Sequence, residues 1–70
     1  MSMTIRLNGN TETVEANLTV LGLLTRLGID PQRRGLALAM NGALVPRRTW
    51  SEATIAAGAD VEIVQPLQGG

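Results

Sequence analysis

One stretch of the chain has helical periodicity, and it lies between two segments that alternate like β-strands. Its apolar residues are spaced i, i+3, i+4 and i+7, which places them on one helix face: Val20, Leu23, Leu24 and Leu27. A helix with one apolar face must bury that face against another layer, and the rest of this chain offers only strands. The sequence therefore predicts an α+β domain, with a mixed sheet of four to five strands and one main helix packed on one face.

Local signals mark both ends of this helix, which we expect to span about eight or nine residues. Thr19 is a favourable N-cap, and Leu18 before it is placed to act as a hydrophobic staple. Gly28 suits the left-handed backbone conformation that ends a helix, and Pro31 prevents the helix from starting again directly afterwards. Gly22 destabilises the helix by about 1 kcal/mol relative to Ala, so either a neighbouring group packs closely there or the helix is weak.

The first strands are predicted as a hairpin. Residues 3–7 alternate between apolar and polar side chains, and residues 11–16 read as the returning strand. Asn8-Gly9 between them favours the positive φ values of a tight turn.

A second hairpin alternates large and small apolar residues. The large ones, which we assign to the core, are Leu36, Leu38 and Met40. Ala37 and Ala39 would then form a flat face that suits a partner, and the reverse assignment, with the alanines under the helix, stays open. Asn41-Gly42 is the turn, and Pro46 cannot donate to a ladder, so the returning strand must be short or at an edge.

The remaining segment leads to a final apolar strand. Trp50 is expected to cover one end of the core, and Ser51 or Thr54 to cap a single helical turn. Asp60 opens the last strand, residues 61–64. Since the first and last strands are both apolar, we place them centrally as parallel neighbours with the hairpins outside, which is the β-grasp arrangement of ubiquitin.

Composition narrows the function. There is no Cys and no His, which removes disulfides, thiolate metal sites and the commonest general base, so we expect neither a metal site nor an enzyme. The net charge is +0 and all basic residues are Arg, which argues against nucleic-acid binding. No apolar run has the roughly 20 residues of a membrane span and no signal peptide is evident, so a soluble, cytoplasmic protein is expected.

The segment after the last strand has a different character. We divide the chain into a globular domain, residues 1–64, and a flexible tail, residues 65–70, with a reach of roughly 20 Å when extended. Gly69-Gly70 lacks Cβ atoms, so its backbone can enter a slot too narrow for other residues and present the Gly70 carboxylate. Pro66 stiffens the root of the tail. Leu67 either anchors in a partner groove, which we favour, or folds back on the strand.

Two stretches resemble a known family. They are AMNGALVPRRTW, residues 39–50, and GADVEIVQPLQGG, residues 58–70. The sequence is similar to the ThiS-type sulfur carriers of thiamin thiazole synthesis, in the ubiquitin-like superfamily. The matching positions are Asn41, Val45, Pro46, Arg47, Trp50, Gly58, Asp60, residues 61–64 and Gly69-Gly70.

The resemblance implies a chemistry. An E1-like activating enzyme would use ATP-Mg to adenylate the Gly70 carboxylate, and sulfur from a cysteine desulfurase persulfide would replace AMP. The resulting thiocarboxylate would donate sulfur to thiazole synthase, while the carrier itself binds no cofactor. The tail residues that would thread a partner active site are Pro66, Leu67, Gln68 and Gly69. The candidate partner surface is Ala37, Ala39, Arg47 and Val64.

Three other functions fit parts of the sequence. The small subunit of molybdopterin synthase shares the fold and the tail chemistry, but tends to be longer, with an aromatic residue before the diglycine. A ubiquitin-like modifier would form an isopeptide bond through the same tail. A β-grasp interaction module would not need the diglycine at all.

Overall fold

The computed structural model describes residues 1–66. Its strands are β1 (Ser2–Leu7), β2 (Asn10–Glu15), β3 (Ala37–Met40), β4 (Ala43–Leu44) and β5 (Asp60–Val64). The helix α1 spans Val20–Arg26, and a 3-10 turn spans Arg47–Thr49. The five strands form one sheet in the order β2-β1-β5-β3-β4, in which β1 and β5 are parallel and the other pairs are antiparallel. The predicted β-grasp fold is confirmed.

The core lies between the sheet and one face of α1. The side chains that are almost fully excluded from solvent are Ile5, Leu23, Leu24, Leu38, Val20 and Val61. Trp50 is 3% exposed and closes one end of this core, as predicted. Leu36 and Leu38 face the helix, while Ala37 and Ala39 lie on the other side of β3, so the large residues do occupy the core.

The first hairpin turns through two residues with positive φ, Asn8 at 49° and Gly9 at 86°. This is the backbone of a tight two-residue turn, and it sets the register in which Leu7 pairs with Asn10. The second hairpin repeats the pattern, with φ of 53° at Asn41 and 84° at Gly42. Both turns are therefore where the Asn-Gly signals predicted them.

The ends of α1 follow the predicted capping residues. The Thr19 hydroxyl accepts a hydrogen bond from the Gly22 amide at 3.0 Å. At the other end Gly28 has a φ of +74°, and its amide donates to Thr25 O, while the Ile29 amide donates to Leu24 O. These two bonds satisfy carbonyls that a helix end would otherwise leave without partners.

Two predictions about α1 were wrong. The helix has seven residues, because the Gly28 stop takes effect one turn after Leu24 and leaves Leu27 as the C-cap. Leu27 is therefore 42% exposed and does not extend the apolar stripe.

The close packing suggested for Gly22 is found: a Cβ built there would lie 2.8 Å from Leu18 Cδ1.

The predicted helical turn capped by Ser51 or Thr54 was also wrong. The single turn begins earlier, directly after Pro46, whose φ of −59° already suits a helical start. The backbone of Thr54 instead forms an antiparallel bridge with Thr19, which ties this segment to the start of α1.

Candidate functional site

The candidate site lies around the point where the chain leaves the sheet, at the end of β5. β5 is the central strand, paired in parallel with β1 at Leu7 and Val61 and antiparallel with β3 as far as Ala37 and Val64. The final strand is therefore held on both sides up to the residues that lead into the predicted tail.

Asn8 extends this support beyond the end of β1. Its carboxamide oxygen accepts a hydrogen bond from the Ile63 amide at 2.8 Å, and its nitrogen donates to Ile63 O at 3.3 Å. A side chain thus replaces the strand that has already turned away. The Asn-Gly signal placed Asn8 in a turn, but nothing in the sequence indicated this second role.

Pro66 lies against the loop that connects α1 to β3. Gly35 in that loop has a φ of +82°, and a Cβ built on it would lie 3.3 Å from Pro66 Cγ. The Arg33 guanidinium donates to Pro66 O at 3.3 Å. The root of the predicted tail is in contact with the body of the domain at both of these residues.

The other predicted tail residues, Leu67, Gln68, Gly69 and Gly70, lie outside the described residues. The predicted division of the chain after residue 64 stays a prediction, since only residues 65 and 66 of the tail are described.

Three of the four candidate partner residues lie together on the face of the sheet that is not covered by α1. Ala37 is paired with Val64, and Ala39 is the next residue of β3 on the same face. Leu44, which is 75% exposed, pairs with Ala39 and enlarges this apolar patch. Leu44 was missed, although the register of a two-residue Asn41-Gly42 turn would have placed it opposite Ala39.

Arg47, the fourth candidate, lies in the 3-10 turn and not on the strands of this patch. Its guanidinium stacks over the Trp50 ring, with Cζ 4.7 Å from the ring centroid, and donates hydrogen bonds to the loop before β3. The structure thus gives two groups of candidates: a patch on the open face of the sheet, whose apolar residues surround Glu62, the partner of Ala39, and a cluster around Arg47.

Within residues 1–66, no three Asp, Glu, His or Cys side chains lie close enough together to hold a metal ion. The same part of the chain contains no helix that is long and apolar enough to cross a membrane.

Comparison with solved structures defines the class of protein. The fold is similar to the crystal structure of the thiamine biosynthesis protein (ThiS) from Geobacter metallireducens, with a TM-score of 0.79 and 28% sequence identity. That match covers 97% of this chain and 100% of the other. The solution structure of a thiamine biosynthesis protein from the same organism also gives a TM-score of 0.79 at 28% identity, with 97% of this chain and 88% of the other covered. The class is that of the small β-grasp proteins of thiamin synthesis.

The sequence comparisons identify the family. The ThiS family profile matches residues 5–70, so the chain belongs to the ThiS family. A thiazole synthase from Magnetococcus marinus is 35% identical over 68 residues, which are 97% of this chain. The chain spans only 20% of the length of that relative.

Proposed function

We propose that the chain carries sulfur as a thiocarboxylate on Gly70 and delivers it for the formation of the thiazole ring of thiamin. An E1-like enzyme with ATP-Mg joins the Gly70 carboxylate to AMP and releases pyrophosphate. A persulfide supplied by a cysteine desulfurase attacks the carbonyl carbon, and AMP leaves. A thiol then attacks the sulfur–sulfur bond. This leaves the thiocarboxylate on Gly70 and joins the thiol, in a disulfide, to the sulfur that had carried the persulfide.

The observation that supports this proposal most directly is the position of the exit from the sheet. β5 is the central strand, and hydrogen bonds hold it on both sides up to Ile63 and Val64. Pro66 then lies only four residues before Gly70, a span of roughly 13 to 14 Å when extended. A rigid body followed by a short reach suits delivery of a terminal group into a buried partner site.

The match to the family profile supports the same reading, because it extends through Gly69 and Gly70. The likeness to a thiazole synthase supports the choice of that enzyme as acceptor over molybdopterin synthase. We place the partner contact on the apolar patch of Ala37, Ala39, Leu44 and Val64, since it lies beside the last residues of β5.

The test is intact mass spectrometry after incubation with the activating enzyme, ATP-Mg, a cysteine desulfurase and cysteine. Replacement of oxygen by sulfur raises the mass nearly as much as oxidation of a Met or Trp side chain. Cleavage after Glu62 solves this problem, because residues 63–70 contain neither Met nor Trp. We expect the mass rise in that fragment, and its absence would overturn the proposal.

A variant that lacks Gly69 and Gly70 is the control. It should fold with the same thermal stability but show no mass rise, and thiazole formation should stop. Thiazole formation that persists in this variant would favour an interaction module. Covalent adducts on partner lysines would favour a modifier. Sulfur transfer to molybdopterin synthase but not to thiazole synthase would change the assigned acceptor.

A further inference from the structure

Arg47 binds the loop of residues 30–35 through several carbonyl groups. Its Nη2 donates to Arg33 O and to Leu36 O, both at 3.1 Å, and its Nη1 donates to Pro31 O. Two carbonyls of this loop, and that of Leu36 directly after it, thus converge on one guanidinium. A planar fork of donors suits this task, whereas a Lys ammonium would present a single point of donation.

Arg47 is itself fixed by Trp50. The guanidinium lies over the indole ring, and the ring is buried and donates from Nε1 to Val45 O at 2.8 Å. The loop is therefore attached, through one side chain, to the rigid core of the domain.

The same loop contacts the root of the tail. Gly35 lies against the Pro66 ring, and the Arg33 guanidinium reaches Pro66 O. Arg47 makes its bonds to the backbone of Arg33 and of Leu36, the residues on either side of this contact. Displacement of the loop would therefore remove the surface on which Pro66 rests.

We propose that Arg47 is a positioning residue for sulfur transfer: it holds the 30–35 loop, and the loop fixes the direction in which the chain leaves the domain at Pro66. This inference rests on the proposed function, since it assigns a role in delivery of the Gly70 carboxylate. It differs from the role predicted from sequence, in which Arg47 faces a partner with its charge.

The physical reason is preorganisation. A tail that leaves the body in a fixed direction loses less conformational freedom when it enters a partner site, so less of the binding free energy is lost on ordering. With only four residues beyond Pro66, a change of direction at the root also moves Gly70 by a large part of its reach of roughly 13 to 14 Å.

The first test measures the root of the tail directly. Variants Arg47→Gln and Arg47→Lys are compared with Arg48→Gln, a neighbouring Arg whose side chain makes no hydrogen bond within residues 1–66. The readouts are the NMR order parameter of the Gln65 amide and the nuclear Overhauser contacts between Gly35 and the Pro66 ring. Both Arg47 variants should lower the order parameter from about 0.85 toward 0.6 and lose the contacts, while Arg48→Gln should not.

The second test measures the reaction. In the adenylation assay, both Arg47 variants should raise KM for the carrier about three- to tenfold with kcat unchanged, because the lost preorganisation affects binding and not chemistry. Arg47→Lys is decisive, since a charge that faces a partner would be retained by Lys and would leave KM at the wild-type value. A folded Arg47→Lys with wild-type KM, or with Gln65 still ordered, would overturn the inference.

Arg33→Gln gives an independent route if Arg47→Gln does not fold, because it removes the bond to Pro66 O and leaves Trp50 and Arg47 in place. It should reduce the Gly35–Pro66 contacts, and contacts of wild-type strength would contradict the proposal. Failure of the proposed function would be distinct: the wild-type protein would then gain no thiocarboxylate. Failure of this inference alone would leave the thiocarboxylate in place and the KM of the Arg47 variants unchanged.

Discussion

The carboxamide of Asn8 and the backbone of Ile63 form a two-hydrogen-bond ring between residues that are 55 positions apart. The Asn8 amide also donates to Val61 O at 2.8 Å, as a residue of β1 would. One residue therefore closes the first hairpin with its positive φ and continues the parallel pairing of β5 with its side chain. The first turn of the chain supports the strand from which the tail departs.

Replacement of Asn8 by Gly should separate these two tasks. Gly accepts the φ of 49° without strain but removes both side-chain hydrogen bonds, and it leaves the half-buried Ile63 amide without its partner. We expect the free energy of unfolding to fall by about 1 to 3 kcal/mol. Urea denaturation would measure the loss.

Asn17→Gly is the matched control. Asn17 also has a positive φ, 67°, but its side chain makes no hydrogen bond within the part of the chain that the structure describes. The same substitution there should change the stability by no more than about 0.5 kcal/mol. Equal losses at the two positions would show that backbone flexibility, and not the Ile63 contact, determines the effect of Asn8.

The substitution Gly22→Ala should not give the gain that helix propensity suggests. A mid-helix Gly is usually about 1 kcal/mol less favourable than Ala. Here the new Cβ would meet Leu18 Cδ1 at 2.8 Å and the Thr19 hydroxyl at 3.2 Å. That hydroxyl is the N-cap, so displacement of either group weakens the start of α1. We expect no rise in the thermal unfolding midpoint, or a small fall.

A double-mutant cycle identifies the cause. Once Leu18 is truncated to Ala, the closest obstacle is gone, and Gly22→Ala should become stabilising by about 0.5 to 1 kcal/mol. If Gly22→Ala has the same effect in both backgrounds, the contact with Leu18 does not determine the choice of Gly.

These residues show what the sequence could predict. Short-range patterns located both turns and the N-cap Thr19, because capping and turn chemistry act over a few residues. The strand order followed from a different signal, the apolar character of the first and last strands, which predicted that both lie centrally. They could not reveal that Asn8 contacts Ile63, or that Arg47 binds the 30–35 loop, because such contacts join distant parts of the chain. Leu27 was misplaced for a local reason: the helix ended one residue earlier than the apolar spacing suggested.

The site was predictable to a similar degree. Alternation along β3 and β5 placed Ala37, Ala39 and Val64 on one face, since side-chain direction in a strand follows directly from position. The position of Arg47 could not be predicted in this way. It lies in an irregular segment, where no strand or helix periodicity specifies the direction of a side chain. Its position follows from the 3-10 turn that begins after Pro46.

The apolar patch of Ala37, Ala39, Leu44 and Val64 should be needed for partner binding but not for folding. Leu44→Arg introduces charge at a residue that is 75% exposed on the edge strand, so the domain should keep its stability. Binding to the activating enzyme or to thiazole synthase should weaken at least about tenfold, because a guanidinium would take the place of an apolar side chain in the contact. Isothermal titration calorimetry would measure the change in Kd.

Thr13→Arg tests whether position matters. Thr13 is exposed on the opposite edge strand, β2, where it pairs with Thr4 on the same open face of the sheet. The added charge is identical, so a patch-specific effect requires that Thr13→Arg leave Kd within about twofold of wild type. Similar losses for both variants would mean that net charge, and not the patch, governs binding.

The last prediction concerns the contact between Gly35 and Pro66. Gly35→Ala and Gly58→Ala introduce the same methyl group at nearly the same backbone conformation, with φ of +82° and +79°. Both should lower the free energy of unfolding by about 1 to 2 kcal/mol, because a Cβ is disfavoured in the left-handed region. Chemical denaturation of the two variants should therefore give similar losses.

The two variants should differ at the root of the tail. The new Cβ at position 35 would lie 3.3 Å from Pro66 Cγ and 3.5 Å from two further ring carbons, whereas nothing lies within 4 Å of a Cβ at position 58. Only Gly35→Ala should shift the Gln65 amide resonance and slow sulfur transfer, since only there must Pro66 move. If both variants slow transfer equally, the loss reflects general destabilisation. If Gly35→Ala changes neither readout, the loop does not determine how the chain leaves β5.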